Sequence, residues 1–138
     1  MENIVLRDCG EVEIEPIMEL YKSVNWTNYT SNPSMLEGAI KNSLKSIGAF
    51  DEGKLVGIIR VVGDGHSIIY IQDIIVAPEY QRQGIGRRLV EEIDAIFPKV
   101  YQKILLTDNS PESEKFYESC GFSRSDKFNC IAFAKINR

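Results

Sequence analysis

The chain has 138 residues, of which 43% are hydrophobic and 26% charged, with a formal charge of −4. That length suits one domain whose core needs no disulfides, and the acidic balance argues against nucleic acid as a partner. No apolar run approaches a membrane span, and the start Met1-Glu2-Asn3 lacks the basic and apolar stretches of a leader, so no membrane association and a cytoplasmic location are expected.

Asn3 to Arg7 reads as a short opening strand. Pro16 suits the first position of a helix, and Ile17, Leu20, Tyr21 and Val24 follow at helical spacing. A second helix starts at Asn32-Pro33, a capping residue followed by proline, with Leu36, Ile40 and Leu44 on one face. Between them, residues 25–31 form a polar loop that carries Trp26 and Tyr29. Ser46 to Phe50 and Lys54 to Val62 flank Asp51-Glu52-Gly53, a hairpin signal, and Gly63-Asp64-Gly65 turns the chain into a strand over 68–76. A helix opens near Arg87, keeps Leu89, Val90, Ile93, Ile96 and Phe97 on one side, and stops at Pro98. Val100 to Thr107 is another strand. Ser110-Pro111 starts a short helix through Cys120, which Gly121 ends. Phe122 to Phe128 and Cys130 to Ile136 are expected to close the sheet as its last strands. With no repeat and no linker, the expectation is a single α/β (α+β) domain over 1–138, built on a mixed, mostly antiparallel sheet flanked by helices.

Cys9, Cys120 and Cys130 are widely spaced and include no Cys-x-x-Cys pair, so they read as reduced, buried, small apolar residues. His66 is the only histidine and follows a turn. A zinc site or a histidine-based triad has almost nothing to draw on, and no metal is expected.

The densest signal lies between residues 76 and 87. Val76-Ala77-Pro78-Glu79-Tyr80 ends a strand, and Gln81, Arg82, Gln83, Gly84, Ile85, Gly86 and Arg87 lead into a helix. Two glycines let a backbone approach a ligand closely, and the first amides of a helix form a site for an anion such as a pyrophosphate. The dinucleotide fingerprint would need a third glycine where Leu89 stands, and no Gly-Lys-Ser/Thr tripeptide of a triphosphate loop occurs. A Gly-x-Gly alone reads better as a plain strand-to-helix turn with no ligand.

The whole run Val-x-Pro-x-Tyr-Gln-Arg-x-Gly-x-Gly resembles the acetyl-CoA site of the GNAT superfamily of N-acyltransferases. The element order resembles the GNAT fold over essentially the full length. The resemblance implies that the strand over 68–76 and the next one run parallel and splay apart, leaving main-chain groups free for the pantetheine arm of acetyl-CoA. It implies that backbone amides of Ile74, Ile75 and Val76 hold the thioester carbonyl. It places the 81–87 loop on the pyrophosphate. A second segment, Ser110 to Phe122, is similar to the family's Asn-x-x-Ala-x-x-Phe-Tyr-x-x-x-Gly-Phe. By that match Tyr117 falls on the tyrosine that protonates the departing thiolate, although Phe116, Tyr117 and Cys120 also read as an apolar stripe. The family asparagine that contacts the cofactor aligns with Ser110, next to Asn109, and Ser110 also reads as an ordinary helix cap.

The base is open. The family's frequent glutamate is replaced by Gln72, which accepts no proton, and the neighbouring Asp73 reads either as the base or as half of a buried salt bridge with Arg60. Strand alternation separates Gln72 from Asp73 unless a bulge intervenes. Tyr70, Gln72, Trp26 and Tyr29 are candidate acceptor contacts, and the 25–31 aromatics read equally as a hydrophobic plug. The resemblance implies an N-acetyltransferase in which a small-molecule amine attacks acetyl-CoA directly in a ternary complex. A catalytically silent CoA-binding domain and an enzyme for protein amines are the alternatives, and a homodimer is left open.

Overall fold

The two longest β-branched runs, Lys-Leu-Val-Gly-Ile-Ile-Arg-Val-Val-Gly and Ile-Ile-Tyr-Ile-Gln-Asp-Ile-Ile-Val, lie side by side in the sheet, where such side chains pack well on a pleated surface. The computed structural model describes residues 3–137. Contacts divide the chain into two compact units, Met1–Leu106 and Thr107–Arg138.

In the first unit the order is β1 (Ile4–Asp8), α1 (Ile14–Ser23), α2 (Thr27–Thr30), α3 (Pro33–Lys41), β2 (Lys45–Asp51), β3 (Lys54–Gly63), β4 (Ile68–Val76), α4 (Ile85–Ile96) and β5 (Gln102–Leu105). The strands are ordered β1-β2-β3-β4-β5 across one sheet. All neighbours are antiparallel except β4 and β5, which run parallel with α4 as their connection. This is the mixed, mostly antiparallel sheet that the sequence led us to expect.

Helical spacing buries Ile17, Leu20 and Tyr21 of α1 and Leu36 and Ile40 of α3, which join Phe50, Leu55, Ile58 and Ile75 of the sheet in one core cluster. Helix α4 buries Ile85, Leu89, Val90 and Ile93 along its inner stripe. Each such residue contributes about 1.5–3 kcal/mol of burial, so these stripes hold the helices to the sheet. Cys9 is fully buried among the core residues, and burial pushes its thiol up to about 12. Cys130 is exposed and Cys120 only partly buried, against the expectation that all three cysteines are buried.

Several boundaries moved. Helix α1 begins at Ile14, with Pro16 inside its first turn, where the missing N–H has no intrahelical partner to lose. The 25–31 stretch contains the short helix α2 instead of only loop. Helix α4 starts at Ile85, two residues before Arg87, because Gly84 adopts the left-handed conformation (φ 84°) that ends the preceding turn. Strand β5 is shorter than 100–107.

In the second unit, α5 (Pro111–Ser119) starts as expected, the Ser110 hydroxyl accepting from the Ser113 N–H at 3.1 Å. Gly121 follows the helix at φ 96°, the left-handed position of a C-terminal cap. The two closing strands do not form among the described residues. Ser125–Phe128 is a single 3-10 turn, where the Arg124 guanidinium donates to the Asp126 carboxylate at 3.1 Å. Asn129 then turns left-handed at φ 61°, and residues 130–137 have no regular structure. The alternating pattern of 130–136 satisfies only the side-chain half of a strand's needs; without a ladder on a neighbouring edge the pattern alone makes no strand.

Candidate functional site

Strand β4 is irregular at one point, and that irregularity builds the site. Pairing with β3 passes from Arg60↔Asp73 to Val61↔Ile71, so Gln72 is an extra residue, a β-bulge. Cross-strand partners share a face and neighbours along a strand alternate. Asp73 therefore faces the same way as Arg60, and Tyr70, opposite Val62, faces that way too. Without the bulge, Tyr70 and Asp73 would point to opposite sides of the sheet. The bulge reconciles the competing alternation readings, since Tyr70 and Asp73 share a face and the Gln72 side chain also reaches Tyr29.

Around Asp73 lies a closed polar array. Asp73 and Arg60 are 2% and 4% exposed. Oδ2 of Asp73 accepts from Arg60 Nε and from the Tyr21 hydroxyl, each at 2.7 Å. Oδ1 is buried and accepts no hydrogen bond among the described residues. Arg60 also donates through Nη1 to the Ser43 hydroxyl at 3.3 Å and through Nη2 to the Tyr29 hydroxyl at 3.4 Å. Gln72 Nε2 donates to the same Tyr29 oxygen at 3.2 Å. The buried salt bridge of Asp73 with Arg60 is thus present.

The electrostatics follow from this closure. Burial, then the charge of Asp73, pushes the Tyr21 phenol far above its ordinary range, which keeps the proton on the phenol oxygen, donated to the carboxylate. Burial opposes the Arg60 charge, but the charge and hydrogen bond of Asp73 outweigh it, and its pKa is raised. Burial also raises the Tyr70 phenol, with Tyr29 and Asp73 adding to the shift, which places all three near one another. Trp26 stacks on Tyr29 at 6.2 Å between ring centres, and Tyr21 meets both rings edge-on at 6.0 and 5.3 Å.

The main chain of β4 supplies a second feature. Strand β5 pairs with Ile68 to Ile71 and no further, so from Gln72 to Val76 that edge of β4 has no ladder partner among the described residues. Backbone groups left this way are costly unless a ligand or water meets them. Alternation from Ala77, whose N–H points to β3, turns the main chains of Ile74 and Val76 to the β5 side, where they have no strand partner among the described residues.

The loop after β4 is firmly placed. Ala77 N–H donates to Val56 at 2.9 Å, the Tyr80 hydroxyl donates to Asp51 Oδ2 at 2.6 Å, and Gln81 Nε2 donates to the Val76 carbonyl at 2.9 Å. Arg82 adopts a left-handed φ of 64°, as does Gly84. No side chain caps the start of α4, so the amides of Ile85, Gly86 and Arg87 stand at the positive end of the helix dipole. A Cβ placed on Gly84 would meet nothing within 4 Å, so open space lies beside the loop. An unpaired strand edge followed by an uncapped helix start suits an extended arm ending in a pyrophosphate, the shape of acetyl-CoA.

In the second unit, Asn109 is exposed and Ser110 acts as the cap of α5. Tyr117 is half-buried, with Phe116 and Phe122 edge-on at 5.0 and 6.0 Å. Burial pushes its phenol up to about 12, helped by Cys120 and opposed by a hydrogen bond from Thr107.

The sequence reading missed two members of the array. Tyr21 was visible only as a helical core position, and Ser43 carried no signal. Their roles appear once the bulge turns Asp73 onto the α1 face.

Residues 5–131 match the family model for the acetyltransferase (GNAT) domain. A GNAT family acetyltransferase of Streptococcus pneumoniae is 40% identical, each chain covered over 98% of its length, with a TM-score of 0.88. GCN5-related N-acetyltransferase 2, chloroplastic, of Arabidopsis thaliana is 30% identical over 88% of this chain, which spans only 54% of that protein's length. Glucosamine 6-phosphate N-acetyltransferase of Candida albicans is 30% identical over 86% of this chain and 75% of its own. The chain belongs to the GNAT family, whose members are acetyl-CoA-dependent acyltransferases. No helix among the described residues is long and apolar enough to cross a membrane, and no cluster of metal-ligating side chains occurs among them.

Proposed function

We propose that this chain is an N-acetyltransferase that moves the acetyl group of acetyl-CoA to a small-molecule primary amine by direct attack. The observation that carries the reading is the loss of β5 pairing after Ile71, followed by the uncapped start of α4 at Gly84. Acetyl-CoA supplies an acetyl group already activated as a thioester. The amides of the 81–87 loop and the first turn of α4 bind its pyrophosphate, and Arg82 and Arg87 add charge. Asn109 and Ser110 are further cofactor contacts in this reading.

Unpaired backbone N–H groups of Ile74 and Val76 polarise the carbonyl, since fixed donors aimed at a developing oxyanion stabilise the transition state. The amine nitrogen bonds to the carbonyl carbon, the carbon–sulfur bond breaks, and the Tyr117 hydroxyl gives its proton to the departing sulfur. The surplus amine proton leaves to water. Asp73 enters as the anchor of the Arg60, Tyr21 and Tyr29 array, because its Oδ2 is fully engaged in holding them. Trp26, Tyr29, Tyr70 and Gln72 line the acceptor side.

The test is calorimetric titration with acetyl-CoA. Gly84→Val or Gly86→Val should weaken binding by several kcal/mol, equivalent to two or three charge-assisted hydrogen bonds at about 1.5–3 kcal/mol each. A thermal melt separates this from lost folding, since a branched residue at the left-handed Gly84 costs about 1–3 kcal/mol on its own. Unchanged affinity in either folded variant would overturn the assignment.

A further inference from the structure

We propose that Tyr29 selects the acceptor, donating its phenol proton to an uncharged oxygen on the amine substrate, a hydroxyl or a carbonyl. This rests on the acetyltransferase reading. A phenol has one proton to give and lone pairs to receive with. Here two donors already occupy the oxygen, Arg60 Nη2 at 3.4 Å and Gln72 Nε2 at 3.2 Å. The proton of Tyr29 therefore has to point away from both.

The ring is fixed in that pose. Trp26 stacks against it at 6.2 Å, the Tyr21 edge meets it at 5.3 Å, and the Arg60 guanidinium sits 5.9 Å from its centre. Arg60 in turn is held by Asp73 at 2.7 Å and is almost wholly buried. A hydroxyl held this way is a preset donor.

Charge decides which oxygen it suits. The Arg60 cation is neutralised by Asp73 beside it, so the array has no net charge to hold a carboxylate. A neutral oxygen needs only the one donated bond. The stacked Trp26 and Tyr29 rings offer apolar surface to the rest of the acceptor.

The experiment compares matched pairs of primary amines, each pair differing by one hydroxyl or amide oxygen, in a CoA-release assay with saturating acetyl-CoA. The unmodified protein should favour the oxygenated member of at least one pair by about 10- to 100-fold in kcat/KM, the range for leaving one placed donor unmet. Tyr29→Phe keeps the ring and should collapse that ratio to near one. Gln72→Glu should collapse it too, because a carboxylate accepts where the amide donates and draws the phenol proton inward. A merely structural Tyr29 would slow both members of a pair equally and leave the ratio intact, which overturns the proposal. Equal rates within every pair in the unmodified protein overturn it as well. Absence of both turnover and acetyl-CoA binding would instead bring down the acetyltransferase reading, and this inference with it.

Discussion

Asp73→Ala should destabilise the fold by about 3–5 kcal/mol, the usual cost of stripping one partner from a buried ion pair. The variant leaves the Arg60 guanidinium 4% exposed with no counter-charge, and it removes the acceptor of the Tyr21 hydroxyl. Against a total stability of about 5–15 kcal/mol, that is a large fraction. Urea unfolding followed by fluorescence of the single Trp26 reads it directly. A double variant, Asp73→Leu with Arg60→Met, should recover most of the loss, since apolar residues of similar volume often replace buried pairs without penalty. Tyr21→Phe should cost less, about 1.5–3 kcal/mol for one hydrogen bond to a charged acceptor. A loss below about 1 kcal/mol for Asp73→Ala would mean that the pair behaves like a surface ion pair, contrary to its burial.

The ion pair also marks where sequence reading reached its limit. Strand β4 was legible to the residue, because Ile68–Val76 is a β-branched run bounded by turn residues. The α4 stripe and the two glycines were legible for the same local reason. The bulge at Gln72 was not, since nothing in Ile-Gln-Asp-Ile specifies which residue loses its partner on β3. That depends on the register of two strands, a non-local property. Once the register is known, the gathering of Tyr70 and Asp73 beside Tyr29 follows. The C-terminal end failed in the opposite way. Residues 130–136 alternate like a strand, yet a strand exists only with an edge to pair with, and no local pattern reports one. Helix α5 succeeded because a capping serine, a proline and a glycine terminator act within the helix itself.

Tyr117→Phe should lower turnover by roughly 10²–10⁴-fold, the range for loss of a positioned general acid. The substitution keeps the ring that meets Phe116 and Phe122, so folding should be nearly intact and acetyl-CoA affinity little changed. The raised pKa sharpens the expectation. With the phenol pushed to about 12, the acid stays protonated throughout the neutral and mildly alkaline range. A kcat profile should therefore show no alkaline loss from this group at about 10, where an ordinary tyrosine would titrate. The same shift favours the folded state with the proton on. Its contribution to stability is complete below the unfolded value near 10 and disappears as pH rises through about 12. A core tyrosine with no chemical role predicts another pattern, full turnover in Tyr117→Phe and a modest change in melting temperature. Steady-state kinetics on the folded variant decide between the two, and wild-type turnover would move the acid role to water or to another donor.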